Sequence, residues 1–308
     1  MAKVLITGAS GCVGHYLVEQ LSPHFELYLL VRNPEKILFG FDNSHDLHII
    51  KGDMDSIVNE KKLLSQMNYC IHAATAWGGA DTERINVQRV HELFDSLSPL
   101  NLKKIIYFST ASILGKNNEL IPEAEFYGTD YIRTKYLCYK NLKNQWFSDR
   151  LITVFPTLIF GGDATHPFSN LSLALPMIKK FAWLVGRINI DVSFHIIHAE
   201  DIAKMVFFFL KNSLNEKDYV LGNEACTFGQ FTKGVGEFFG HHIRFQIPIN
   251  PKIIYRLVKI FAKEMTKWDD FCAQNPYFQY AVTNCHKLGL SSRYNEIEGI
   301  LADWKFIP

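Results

Sequence analysis

Apolar residues fall into two alternating patterns over the first half of the chain. Short apolar runs at 4–6, 26–31, 47–50, 69–74, 104–108 and 151–155 have the length of buried strands. Segments of helical period lie between several of them. Val13, Leu17, Val18 and Leu21 follow the first run, and 82–97 and 128–144 read as longer helices. Strand alternating with helix from residue 3 to Pro156 predicts a parallel sheet with helices on both faces. Beyond Pro156 the pattern loosens. It predicts a helix over 171–183, a short strand over 194–197, a helix over 200–211, a last sheet strand over 218–221 and a short strand over 243–247. The expected class is α/β: a doubly wound parallel sheet with a smaller, mixed C-terminal lobe.

Composition mainly excludes. With 308 residues, 48% of them hydrophobic, the chain can bury a substantial core. A net charge of +1, from 32 basic and 31 acidic side chains, gives no electrostatic footprint for nucleic acid. Cysteines 12, 70, 138, 226, 272 and 285 are scattered without C-x-x-C spacing, which argues against zinc and for a reducing compartment. The first strand starts almost at Met1, leaving no room for a targeting peptide, and the run at 205–210 is far too short to span a bilayer. A cytoplasmic chain without a metal is the expectation.

Candidate chemistry begins where the first run meets glycines at 8, 11 and 14, in the order strand, glycine turn, helix. That order suits a dinucleotide's phosphates. Gly8 would turn the chain out of the strand, Gly11 would admit a pyrophosphate to the backbone, and Gly14 would let the helix lie close to the sheet. The helix N-terminus would aim N–H groups at the phosphates. Ser10, Cys12 and Val13 therefore join the three glycines as candidate cofactor contacts. On this basis a Rossmann-type dinucleotide domain is drawn as 1–165 with 199–226, and a substrate lobe as 166–198 with 227–308.

Arg32 ends the second run, where an NAD-type unit would carry an acidic residue for the ribose 2′-OH. A guanidinium there suits a 2′-phosphate. NADP is thus the expected cofactor, with NAD as the alternative. The small Ala73 and Ala74 leave room for it at the end of the fourth run. Tyr131 and Lys135, four apart on a predicted helix, share one face. Free tyrosine has a pKa of about 10, and a neighbouring ammonium lowers it. A tyrosine so tuned can give a proton to a carbonyl oxygen or take one from an alcohol.

Together these stretches resemble the extended short-chain dehydrogenase/reductase superfamily, in the branch called the NAD-dependent epimerase/dehydratase family, over nearly the whole chain. TGASGCVG at 7–14 is similar to its TGxxGxxG turn. The resemblance implies that Asp53, beside Met54, meets the adenine, that HAAT at 72–75, ending in Thr75, lines the cofactor, and that Asn86 is the family's helix asparagine. FSTASILG at 108–115 resembles the segment with the catalytic Ser/Thr, which places that role on Thr110, with Ser109 and Ser112 as alternatives. YIRTK at 131–135 matches the Tyr/Lys pair. PTLIFG at 156–161 resembles the nicotinamide-side loop, bringing in Pro156 and Leu158. IIHAEDIA at 196–203 and LGLSSRYNEIEGILADW at 288–304 complete the likeness. The implied mechanism has Tyr131 as proton donor or acceptor and Lys135 on the nicotinamide ribose, depressing the tyrosine. Thr110 bonds the substrate oxygen, and hydride passes between nicotinamide C4 and the substrate carbon. A homodimer is consistent with the resemblance.

Departures from that pattern narrow the substrate. Sugar-nucleotide members carry arginines for a diphosphate at two positions that are Phe155 and Phe194 here. The chain is closer to reductase and hydroxysteroid-dehydrogenase-like members, so the expected activity is NADP-dependent hydride transfer on a carbonyl or alcohol of a moderately apolar small molecule. Aromatics including Phe168, Phe181, Trp183, Trp268 and Tyr280 fall in the substrate lobe. The alternatives are an NAD-dependent sugar-nucleotide epimerase or dehydratase, and a non-catalytic cofactor-binding assembly or regulatory factor. A basic amphipathic helix over 252–267, with Lys252, Arg256, Lys259, Lys263 and Lys267 on one stripe, reads either as a pocket cover or as a peripheral contact with an anionic membrane or partner.

Overall fold

A computed structural model of the chain describes residues 1–38, 46–261 and 265–303. Seven strands form its main sheet: β1 (Lys3–Thr7), β2 (Glu26–Val31), β3 (Leu47–Lys51), β4 (Tyr69–His72), β5 (Lys104–Phe108), β6 (Leu151–Pro156) and β7 (Asp218–Leu221). Their order is β3-β2-β1-β4-β5-β6-β7, and every pairing is parallel. The winding direction reverses between β1 and β4, so their carboxyl ends open the crevice where ligands bind in such sheets.

Four helices matter most for the site: α1 (Cys12–Leu21), α2 (Arg89–Asp95), α3 (Asp130–Leu142) and α4 (Ala199–Lys211). On one face, Leu17 and Leu21 of α1 and Ile202, Val206 and Phe209 of α4 pack with Val4, Ile6, Ile71 and Ile106. On the other, Val90 and Phe94 of α2 and Cys138 and Leu142 of α3 pack with Leu5, Cys70, Ile105 and Tyr107. Successive strand residues thus go to opposite buried faces, which is why these strands read as unbroken apolar runs rather than as alternations.

Several predicted boundaries move. The fourth strand stops at His72, so Ala73 and Ala74 have left the sheet. The helix expected over 82–97 starts as a π turn, Arg84–Gln88, before α2. Thr129 caps α3, trimming the helix expected over 128–144. The helix expected over 171–183 is two, Asn170–Lys179 and Ala182–Val185. The strand expected over 194–197 divides into Ser193–Phe194 and Ile196–His198. Between them the His195 ring takes backbone partners, Asn223 O at 2.7 Å and Tyr280 N at 3.0 Å. The strand expected over 243–247 is Ile247–Ile249, paired with Ile188–Ile190, while Ile243 is buried against Gly186 and Gly236.

The basic helix expected over 252–267 runs Pro251–Phe261, and a separate helix, Lys267–Gln274, starts at a Thr266 capping box. Lys263 and Trp304 lie outside the described residues. Among the described residues no helix is long and apolar enough to cross a membrane.

Candidate active site

The loop after β1 is shaped by contacts that only glycine allows. Gly8 sits at φ 79°, and a Cβ there would lie 2.8 Å from Ala74 N. The ends of β1 and β4 therefore touch backbone to backbone. A Cβ on Gly14 would collide with Gly8 O and the Ala9 backbone, so Gly14 closes the helix onto its own loop rather than onto the sheet. Thr7 Oγ1 pairs with His72 Nδ1 at 2.8 Å and accepts from Ala74 N, locking the two strand ends. Burial pushes His72 down to about 3, so its ring is neutral.

Gly11 is the N-cap of α1. It makes no side-chain cap bond, and the first turn carries no acidic residue. The leading N–H groups of Cys12 and Val13 are among those an α-helix leaves without an intrahelical acceptor, in a turn that follows glycine and carries no carboxylate. That set of donors fits a dinucleotide pyrophosphate. A second loop rests on the same helix end: Gly162 N donates to Tyr16 Oη at 3.2 Å, and Gly161 abuts Cys12 Sγ. The Cys12 thiol, pushed up to about 12 by burial, is inert there. Ser10 lies half-buried in the first loop.

Around the cradle, Arg32 is exposed at the carboxyl end of β2. Asp53 Oδ1 accepts from Asp55 N and Ser56 N, capping the short helix Met54–Ile57. Met54 points into the core, so its side chain is unavailable to a ligand. Asn86 is buried, with every amide bond spent inside the protein. Its Oδ1 accepts from Ala76 N (2.8 Å) and Thr75 Oγ1 (3.2 Å), and its Nδ2 donates to Ala76 O (2.8 Å) and Thr134 Oγ1 (3.0 Å). It ties the loop after β4 to α3 rather than reaching outward. Pro156 is buried at the end of β6, and Leu158 is exposed beyond it.

Tyr131 and Lys135 occupy one face of α3, and Thr110 comes to Tyr131 from the end of β5, its hydroxyl in hydrogen-bonding reach of the phenol. Thr110 also caps the single turn Ala111–Ile113 and donates to Ser112 Oγ at 3.3 Å. Ser109 Oγ is buried without a partner among the described residues. Lys135 Nζ donates to Phe108 O at 2.7 Å and lies 6.0 Å from the Tyr131 ring centre. The expected depression of the tyrosine by the lysine is not what dominates. Burial pushes Tyr131 up to about 12, opposed by the Thr110 bond, and pulls Lys135 down to about 8.

Trp77 stacks on Tyr131 at 4.4 Å with planes 28° apart, and is still 65% exposed. The motif reading missed it. The only sequence signal is an aromatic between the strand-four motif and Gly78-Gly79. Phe155 does not face the site: it is buried in the core against Tyr139. Phe194 is half-buried beside Phe231. The lobe's other aromatics divide, Trp268 going to the core and Phe181 and Trp183 to the surface.

A family model described as the NAD dependent epimerase/dehydratase family matches residues 4–222. The chain belongs to that family. The family member is 28% identical over 181 residues to the decarboxylating sterol-4-alpha-carboxylate 3-dehydrogenase ERG26 of Candida albicans, a match covering 52% of this chain and 51% of that protein. It thus spans about half the length of that curated relative. Among solved structures it is similar to gox2253, with TM-score 0.73 and 18% identity over 99% of this chain and 98% of that one. It is also similar to the UDP-N-acetylglucosamine 4-epimerase of Methanobrevibacter ruminantium, with TM-score 0.68 and 16% identity over 99% and 97%. At these identities the structures speak for the shared fold.

Proposed function

We propose that the chain is an NADP-dependent oxidoreductase that interconverts a carbonyl and an alcohol on a moderately apolar small metabolite, with Tyr131 handling the proton. The observation that carries this reading is the indole of Trp77 stacked on Tyr131. The approach to the phenol is walled by an aromatic face, where a nucleotide diphosphate would call for cations. Phe194, half-buried beside Phe231, puts no cation at the second position where an arginine for a diphosphate was expected, whereas Phe155, a core residue, does not bear on it. The name of the sterol dehydrogenase relative describes a sterol carboxylate, a mostly apolar molecule with one charged group, which agrees.

In this reading Gly8, Gly11, Gly14 and the N–H groups of Cys12 and Val13 hold the pyrophosphate, Arg32 takes the 2′-phosphate, and Asp53 faces the adenine side. Pro156 and Leu158 border the nicotinamide. When bound, the nicotinamide supplies or accepts a hydride at C4. Tyr131, a phenol already protonated at neutral pH and pushed further up by burial, would give its proton to a carbonyl oxygen that Thr110 orients, and regain one from solvent. Lys135 would hold the nicotinamide ribose.

Titration of the purified protein with NADPH and NADH, followed by tryptophan quenching, tests the cofactor. Tight NADPH binding that Arg32→Ala weakens by about tenfold or more is expected from the loss of a charge-assisted pair. Preference for NADH would remove Arg32 from the site and favour an NAD-retaining epimerase or dehydratase. Binding of neither would favour a non-catalytic role. In a carbonyl screen with NADPH, Tyr131→Phe should keep nucleotide binding and lose turnover.

A further inference from the structure

Two stretches of this chain contain no acidic residue. Residues 164–190 hold Lys179, Lys180 and Arg187, and residues 238–263 hold Arg244, Lys252, Arg256, Lys259 and Lys263, with no Asp or Glu in either. This is marked segregation in a chain with 31 acidic side chains and a net charge of only +1. The fold brings the two stretches together. Strand Ile188–Ile190 pairs with Ile247–Ile249, Ile247 N donates to Arg187 O at 2.6 Å, and Gln246 Nε2 donates to Gly186 O at 3.0 Å. The helix Pro251–Phe261 leaves directly from that small sheet.

The joined surface also carries large apolar side chains in water. Phe181 is 58% exposed, Trp183 50%, Phe245 62% and Ile253 52%. Three of these follow an exposed cation in sequence: Lys180–Phe181, Arg244–Phe245 and Lys252–Ile253. On adjoining elements Asp191 accepts from Tyr277 Oη and Asp270 from Tyr255 Oη, each at 2.6 Å, and Glu237 lies 3.8 Å from Lys233 Nζ.

We propose that this face docks the protein reversibly on an anionic lipid bilayer, the aromatic and aliphatic tips entering the headgroup boundary while the neighbouring Lys and Arg side chains meet lipid phosphates. The chemistry selects lipid over protein. A protein interface depletes charge at its centre and keeps it to the rim, whereas here three of the four apolar tips directly follow a cation. That mixture is what a lipid interface holds, through buried apolar area and attraction of basic residues to anionic headgroups. The docking face is independent of the reaction assigned above. It would bring the substrate lobe to the phase in which apolar metabolites dissolve.

Co-sedimentation of the full chain with phosphatidylcholine vesicles, with and without a third of phosphatidylglycerol, tests this. Binding is expected only to the anionic vesicles and is expected to fall with added salt. The pair Arg244→Glu with Lys252→Glu should weaken partitioning by about tenfold or more. The pair Phe181→Ser with Phe245→Ser should weaken it at every salt concentration. All four positions are on the surface, and an unchanged melting temperature shows that each variant is folded. Equal binding to neutral vesicles, no binding at all, or binding that survives both pairs of substitutions overturns the proposal. So does a concentration-dependent dimer that the same substitutions disperse, because the face would then belong to a second copy of this chain.

Discussion

Lys135 is enclosed at the junction of β5 and α3, with one hydrogen bond to Phe108 O and the Tyr107 ring 5.0 Å away. Burial brings it down to about 8 from 10.5. As pH rises through 8 the native state sheds this proton, while the unfolded chain keeps it until about 10.5. In that window the unfolded state binds more protons, so stability rises with pH, and below it the burial penalty is fully present. Urea unfolding at pH 7 and pH 10 should therefore show the wild type gaining stability relative to Lys135→Met at the higher pH. Parallel behaviour of the two proteins would mean that Lys135 is not desolvated. At this scale the glycine turn and the Tyr131/Lys135 pair were legible because both depend on local spacing: a turn needs its glycines in order, and residues four apart on a helix share a face. The direction of the tyrosine's shift was not legible, since burial depends on everything packed around α3. Trp77 was hidden for a related reason, as its contact with Tyr131 is made only when the loop after β4 folds over α3. Phe155 misled in the opposite sense: its place in the chain suggested the site, but its side chain turns to the core.

The clasp at Asn86 explains an element that periodicity described only coarsely. A regular helix was expected over 82–97, yet the chain opens with a π turn at Arg84–Gln88. Such turns commonly mark functional positions. This one brings Asn86 against both backbone groups of Ala76 and the Thr134 hydroxyl. Ala76 immediately precedes Trp77, so the clasp sets where the indole lies. Asn86→Ala leaves those partners unpaired and should cost on the order of 2–3 kcal/mol. It should also lower kcat with NADPH binding retained, because the mispositioned element is the wall over Tyr131 and not the phosphate cradle. Calorimetry with steady-state kinetics checks both halves, and unchanged values in each would remove Asn86 from this role. The sheet strands were readable because all but the edge strand β3 are mostly buried. The two- and three-residue strands of the second lobe were not, since partners distant in sequence hold them: His195 between two backbones, and Ile243 between Gly186 and Gly236.

The whole molecule is stitched across the boundary that the sequence suggests between its lobes. Thr283 N donates to Val220 O at 2.7 Å, and Asn223 Nδ2 donates to Tyr294 O at 2.6 Å. The Tyr294 ring, fully buried, stacks on His198 at 3.5 Å. Its hydroxyl lies 2.9 Å from Asp303 Oδ2 and 3.0 Å from Glu200 Oε2, and burial beside the two carboxylates raises its pKa and keeps it protonated to donate. The segment after 283 is thus fastened to the last sheet strand and to the start of α4, which packs with α1 behind the phosphate cradle. Apolar contacts cross the boundary too, Val220 clustering with Trp268 and Val282, and Phe160 and Cys226 with Val235 and Tyr294, which favours a single cooperative transition. Tyr294→Ala removes a buried aromatic at the join and should cost about 3–5 kcal/mol. If the lobes are one cooperative unit, far-UV circular dichroism and tryptophan fluorescence will give coincident unfolding curves for wild type and variant, displaced by the same amount. Two separated transitions, with only the later-denaturing or the earlier-denaturing one moved by the substitution, would show lobes that fold independently and meet afterwards, and the contacts of Tyr294 would then belong to docking rather than to folding.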